Sequence, residues 1–191
     1  HYRSEEIKKE LGESAFGMKI HYLYEPEILG TGGGIKNANN FLKANLWLTI
    51  NADTIIDLDI KALVAFHKKF NPIATMVLTQ AHIGDFNAVF TDFQGRVRKI
   101  GAGPETSDFS QKLSAYNYCG VQLIRKDLLD YLPDGYSKII EAGYRRALGK
   151  NEQILGYIFS GLWITIDTPS AKMIAEQEFL SCTLKFLKLE D

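Results

Sequence analysis

Apolar and polar positions along the chain switch between a helical and an alternating period, and each switch marks a predicted element. Ile7 and Leu11 stand four apart among charges, which predicts a helix over 4–12 ending at Gly12. "MKIHYLY" (18–24) alternates and predicts a strand; a glycine loop and then a helix, "IKNANNFL", follow. "LWLTI" (46–50) and "IATMVLTQ" (73–80) are short apolar runs, the pattern of strands buried on both faces. "NADTIIDLD" leaves the first of these runs as a loop. Asp59 is a fitting N-cap for a helix "IKALVAFHKKF", with Leu63, Phe66 and Phe70 on one side. Residues 87–100 predict a hairpin turning at Gln94-Gly95, and 101–112 a polar loop. "LSAYNYCGVQLI" (113–124) predicts a strand, and "RKDLLDYLP" and "YSKIIEAGYRRALGK" predict helices. "QILGYIFSGLWITI" gives two short strands broken at Gly161, and a last helix begins near Pro169. Strands alternating with helices predict an α/β fold with a mostly parallel sheet, in a single domain over 1–191.

Composition narrows the function classes. The 191 residues are 46% hydrophobic and 24% charged, the balance of a soluble globular protein, and the formal net charge is −1. That charge gives no electrostatic case for nucleic acid or anionic membrane as a partner. No apolar run nears the roughly 20 residues that span a bilayer, and the N-terminus has no signal-peptide pattern, so the expected compartment is the cytoplasm. Cys119 and Cys182 are too few and too far apart for a disulfide framework or a zinc site. His1, His21, His67 and His82 have no metal spacing and read as structural or surface residues.

Three stretches carry candidate chemistry, each at the carboxyl end of a predicted strand, where open α/β sheets bind ligands. The first is "EPEILGTGGGIKNA" (25–38), with glycines at 30, 32, 33 and 34. Bare backbone lets a ligand approach, and N–H groups can hold an anion or the edge of a base. The alternative is a connector that permits tight packing. The stretch is neither a P-loop nor G-x-G-x-x-G, and Lys36 behind it reads as a solvated helix residue. The second is "NADTIIDLD", where Asp53 offers Mg²⁺ a hard oxygen ligand. Asp59 reads as the cap and Asp57 as a solvated loop residue. The third is "GLWITIDTPSA", where Asp167 is either a metal ligand or, like Thr168, a helix cap.

In this order the stretches resemble the sugar-1-phosphate nucleotidyltransferases, the nucleotide-sugar pyrophosphorylases. "EPEILGTGGGIKNA" is similar to that family's E-x-x-L-G-T-G-G loop and "NADT" to its N-G-D segment; "GRV" (95–97), "YCGV" (118–121) and "GLWITIDTP" follow at suitable spacings. The likeness covers essentially the whole chain and is closest to the branch acting on mannose-, heptose- or N-acetylmuramate-1-phosphate. It implies a Rossmann-like, GT-A-type three-layer sandwich. It implies transfer of a nucleotidyl group from a nucleoside triphosphate to a sugar-1-phosphate with release of pyrophosphate, aided by Mg²⁺. By position, Glu25, Leu29, Gly30, Thr31 and Gly32 would bind the nucleotide. Asp53 would be the catalytic metal ligand, Asn87, Gly120 and Trp163 would lie at the sugar phosphate, and Asp167 would be a second metal ligand.

Two departures qualify the resemblance. The family's opening strand and G-x-G-T-R phosphate loop have no counterpart, so the chain is expected to be N-terminally incomplete and nearly inactive alone, with exposed apolar surface that favours self-association. The family's W-x-D-I-G-T-P reads Trp163-Ile164-Thr165-Ile166-Asp167-Thr168-Pro169, with threonine at the aspartate position. Asp167 follows two residues on, displaced along a strand by roughly 6–7 Å. Thr165 motivates an alternative, a non-catalytic nucleotide-sugar-binding regulatory protein. A glycosyltransferase, resting on Asp57-Leu58-Asp59 as an Asp-x-Asp motif, is a third reading.

Overall fold

The computed structural model describes residues 1–80, 88–101 and 113–181, with side chains to 177. Asn87, His82, Cys182 and the loop expected over 101–112, apart from Gly101, lie outside the described residues. The elements in chain order are α1 (Ser4–Leu11), β1 (Ser14–Ala15), β2 (Met18–Lys19), α2 (Gly30–Ala38), β3 (Leu46–Ile50), β4 (Thr54–Ile56), α3 (Ile60–Phe70), β5 (Ala74–Gln80), β6 (Ala88–Thr91), β7 (Val97–Ile100), β8 (Ser114–Arg125), α4 (Arg145–Gly149), β9 (Ile154–Ile158), β10 (Trp163–Thr165) and α5 (Pro169–Ser181). A 3₁₀ helix (Lys126–Tyr131) and a π-helix (Ile139–Tyr144) separate β8 from α4. The chain divides into two compact units, His1–Ala44 with Asp127–Ala147, and Asn45–Lys126 with Leu148–Asp191.

The second unit holds the main sheet, in the order β7-β6-β8-β5-β9, with β3 beside β8. β3 and β5 both run antiparallel to β8, and β5 runs parallel to β9, so β3, β5 and β9 share one direction. That shared direction is what strand–helix alternation dictates. The expectation of a mostly parallel sheet nevertheless needs correcting, because the sheet is mixed. The β6–β7 hairpin sends the chain back, and the 12-residue β8 enters between β3 and β5 from the opposite end.

Gly120 lets β8 serve two neighbours. Its φ of +75° breaks the strand where residue types with a Cβ would be strained. On one side of β8, residues 121–125 pair with β3 and residues 114–117 pair with β6. Against β5 the register slips across the same point, with Met76 opposite Gln122 but Leu78 opposite Tyr118.

Helix α3 starts where its cap predicts, with Ala62 N–H donating to the Asp59 carboxylate at 3.0 Å. Leu63 of α3 is fully buried among Val77, Cys119, Val121 and Leu123. The other buried residue of α3 is His67, not Phe70, which is 46% exposed. Burial pushes the Cys119 thiol up to about 12, so it is inert packing, as its isolation in the sequence implies.

Three local expectations change. The strand expected over 18–24 is only Met18–Lys19, paired with Ser14–Ala15. Alternation alone makes no strand without a ladder, and residues 20–24 have none among the described residues. The loop expected over "NADTIIDLD" contains β4, which pairs with β10 through Thr54↔Thr165, Ile55↔Ile164 and Ile56↔Trp163. The glycine loop is not a loop, since α2 begins at Gly30 and takes in all four glycines.

Candidate functional site

In the first unit the glycines of α2 lie against the segment that follows the 3₁₀ helix. A Cβ on Gly30 would sit 2.6 Å from the Ser137 carbonyl oxygen, one on Gly32 2.7 Å from Ser137 Oγ, and one on Gly33 2.3 Å from the Gly135 carbonyl oxygen. Such distances are far inside van der Waals contact, so tight packing explains much of this glycine run. Glycine is normally a poor helix former, at about 1 kcal/mol against alanine. Here the close approach and its hydrogen bonds offset that cost. Gly32 N–H and Gly33 N–H donate to the Ser137 carbonyl at 2.8 and 3.3 Å, and Ser137 N–H donates to the Leu29 carbonyl at 2.9 Å. The Glu25 carboxylate accepts from Leu29 N–H at 2.9 Å, and Thr31 Oγ1 accepts from Ile139 N–H at 3.1 Å.

A helix N-terminus leaves its first donors unpaired. Ser137 takes those of Gly32 and Gly33, and the N–H groups of Gly30 and Thr31 have no partner among the described residues. Of the expected nucleotide-binding residues, Thr31 is exposed, Glu25, Leu29 and Gly30 are half-buried, and Gly32 is buried. Lys36 is not a solvated residue. Its ammonium donates to the Leu132 carbonyl at 2.7 Å and pairs with Asp134 at 2.7 Å.

In the second unit the metal candidates stand at one end of the β4–β10 pair. Ile166 N–H donates to the Asp53 carbonyl at 2.8 Å, which continues the ladder one step beyond Thr54↔Thr165. Asp53 and Asp167 are both exposed, and neither carboxylate bonds to anything among the described residues. The cap of α5 is Thr168, whose Oγ1 accepts from Ala171 N–H at 3.1 Å, so Asp167 is free of that task. Among the described residues no group of three His, Cys, Asp or Glu side chains could hold a metal. Asp53 and Asp167 stand one and two residues beyond the Thr54↔Thr165 pair, which puts two hard oxygen donors at adjoining strand ends. Thr165, half-buried opposite Thr54, is a neutral hydroxyl.

Of the expected sugar residues, Gly120 forms the break in β8 and Trp163 lies beside it. Trp163 Nε1–H donates to the Cys119 carbonyl at 3.1 Å, and Asn51 N–H donates to the Gly120 carbonyl at 2.9 Å. A Cβ on Gly120 would lie 2.9 Å from both Asn51 Nδ2 and Thr54 Oγ1. Trp163 also lines a cleft of about 680 Å³ with Thr79, Gln80, Tyr116, Phe159 and Ser160. Aromatic faces beside hydroxyls and an amide suit a polyhydroxylated ring. The periodicity of "QILGYIFSGLW" identifies its strands but gives no sign that Phe159 and Ser160 line a cleft. Asp57 departs from its expected solvated position, with Oδ1 buried against Gly161, where a Cβ would come within 2.1 Å, and without a hydrogen-bond partner among the described residues.

Residues 1–179 match the family described as Nucleotidyl transferase. Mannose-1-phosphate guanylyltransferase of Mycobacterium tuberculosis is 29% identical over 174 residues, covering 88% of this chain and 46% of that protein. D-glycero-alpha-D-manno-heptose 1-phosphate guanylyltransferase of Campylobacter jejuni is 40% identical over 62 residues, covering 32% of this chain and 28% of that protein. The chain spans about half the length of the mannose-1-phosphate guanylyltransferases it matches. Among solved structures, HddC from Yersinia pseudotuberculosis complexed with GMP-PN superposes with a TM-score of 0.73 at 19% identity, covering 93% of this chain and 75% of that one. UDP-glucose pyrophosphorylase complexed with UDP-glucose gives 0.67 at 16% identity, covering 95% and 73%. Those two likenesses bear on the fold alone.

Proposed function

Because the chain belongs to the nucleotidyl transferase family, we propose that it serves the formation of a nucleotide-sugar and pyrophosphate from a nucleoside triphosphate and a sugar-1-phosphate. The relatives' guanylyl donors and their mannose and manno-heptose acceptors make GTP with mannose-1-phosphate the first pair to test. The observation that carries the reading is the pair of uncommitted carboxylates, Asp53 and Asp167, at the shared end of β4 and β10.

In this reading the Gly30 and Thr31 N–H groups meet acceptors on the nucleoside, with Leu29 and Gly32 beside them and Glu25 holding the Leu29 amide. Asp53 and Asp167 hold Mg²⁺, which when bound neutralises charge at the α-phosphate. Gly120 and Trp163 meet the sugar phosphate, the role that the sequence also assigns to Asn87. A phosphate oxygen of the sugar-1-phosphate attacks the α-phosphorus, and the bond to pyrophosphate breaks. No covalent bond to the protein forms, so its work is positioning and charge stabilisation. Exposed apolar side chains over residues 1–44, Phe16 at 93% and Tyr2 at 81% among them, support self-association, which light scattering would detect as species above the monomer.

A neutral Thr165 favours a second reading, a nucleotide-sugar-binding regulatory protein without turnover. The test is pyrophosphate release from the gene product that contains this chain, given GTP, mannose-1-phosphate and Mg²⁺, then the other triphosphates. Release supports the transferase. Calorimetric binding of GDP-mannose that is indifferent to Mg²⁺, without release, supports the regulatory reading. Neither binding nor release with any nucleotide defeats both.

A further inference from the structure

We infer that Ser137 is a positioning residue for the nucleoside end of the site, selecting which backbone donors of α2 remain for the ligand; the inference rests on the proposed nucleotide-binding role of that helix. Ser137 is 5% exposed. Its carbonyl accepts from both Gly32 and Gly33, and its own N–H donates to the Leu29 carbonyl. One residue thus closes two of the donors at the helix start with its carbonyl and fixes the residue before the helix with its N–H. The donors left are Gly30 N–H and Thr31 N–H, adjacent in sequence and suited to two neighbouring acceptors on a base or ribose.

Two further ties hold the same segment. Ile139 N–H donates to Thr31 Oγ1, so the exposed threonine is fixed from behind. Lys36 binds the Leu132 carbonyl and Asp134 one and a half turns along the helix. The Ser137 hydroxyl itself is buried without a hydrogen-bond partner among the described residues, and it lies 2.7 Å from where a Gly32 Cβ would be. Its part is therefore steric. A side chain no larger than serine lets the peptide reach α2, and any branching would push it away.

Two measurements test this on the same chain. In amide hydrogen exchange of the unliganded chain, Gly32 and Gly33 should exchange at least about tenfold more slowly than Gly30 and Thr31. Equal exchange of all four overturns the inference. In GTP binding, Ser137→Val should weaken affinity about tenfold or more and speed exchange at Gly32 and Gly33 ahead of the rest of the chain, while Ser137→Ala should bind as the parent does. Parental affinity in Ser137→Val, or equal weakening in both variants, overturns it. A merely structural role would speed exchange across the first unit alike, and that result overturns it too. If the parent chain binds no GTP and no other nucleoside triphosphate, the proposed function fails, and the exchange pattern still decides whether Ser137 divides the donors.

Discussion

The two units are built in opposite ways. In the first unit, residues 1–44 contribute no buried apolar side chain; all the buried ones come from Asp127–Ala147. The glycine helix is held by main chain against main chain, through Ser137 and Gly135. In the second unit the β4–β10 pair stands on a hydrophobic cluster, with Ile56 and Trp163 packed against Leu63, Val77 and Cys119. The first arrangement tolerates no added atom at the glycines. The second tolerates no lost atom in the core. This contrast matches what the proposed function asks of each unit, bare backbone for a planar base in the first and carboxylates at a strand end for a metal in the second.

The largest expected effect tests the chemical half of the contrast. Asp53→Asn should lower pyrophosphate release by about 10²–10³-fold, the scale for losing one transition-state contact, and should leave stability within about 0.5 kcal/mol. Asn51 and Gly120 as packing partners do not depend on that carboxylate. A drop in melting temperature equal to a core variant's would show that Asp53 is structural.

Next come two substitutions that should fail for opposite reasons. Leu63→Ala leaves a void beside Val77 and Val121 and should cost about 2–5 kcal/mol. Gly33→Ala adds one methyl group 2.3 Å from the Gly135 carbonyl oxygen and should cost about 1–3 kcal/mol by overpacking. Chemical denaturation measures both. GTP affinity should fall with Gly33→Ala and, at temperatures where the protein stays folded, should hold with Leu63→Ala. Equal GTP affinity in the two variants would erase the distinction between the units.

How much of this the sequence reveals follows from the range of the forces involved. The strand Leu46–Ile50 and the helix Ile60–Phe70 with its Asp59 cap have the predicted bounds, because apolar periodicity and a cap are local signals. Residues 20–24 fail as a strand because a ladder is made with a distant partner. The glycine run reads as a loop for a related reason. The bonds that hold it helical come from Ser137, more than a hundred residues away, and glycine's own propensity opposes a helix. The likeness of "LGTGGG" to the family's loop and the alternative of tight packing are both legible, but the partner that demands the glycines, the Gly135–Ser137 segment, is not. In the second unit, Asp53 is legible as an acid three residues past an apolar strand. Its neighbour Asp167 became separable from the cap only when Thr168 was seen to accept from Ala171.

That division of labour makes a smaller prediction. Thr168→Ala should cost about 1 kcal/mol, the usual worth of an N-cap, and leave Mg²⁺ dependence unchanged. Asp167→Ala should leave the melting temperature alone and raise the Mg²⁺ concentration needed for half-maximal pyrophosphate release. Exchanged outcomes would make Asp167 the cap and leave Asp53 without its proposed second ligand.

The smallest effect separates the units by pH. His67 is buried, with Nδ1 and Thr75 Oγ1 2.8 Å apart and Nε2 without a hydrogen-bond partner among the described residues. Burial, then the charge of Arg125, lowers its pKa below the ordinary 6.5. The folded imidazole is therefore neutral where the unfolded one has already bound a proton. Stability from this group is fully present above pH 6.5 and is lost as pH falls from there towards the folded value, where the folded form also protonates. The histidines of the first unit, His1 and His21, are both exposed. Mild acid should then loosen the second unit before the first. In amide exchange at pH 7.5 and 5.5, β5 and α3 should lose protection at the lower pH while Gly32 and Gly33 keep theirs. His67→Gln should remove the difference. A uniform loss across both units, or an unchanged slope in His67→Gln, would place the acid response elsewhere.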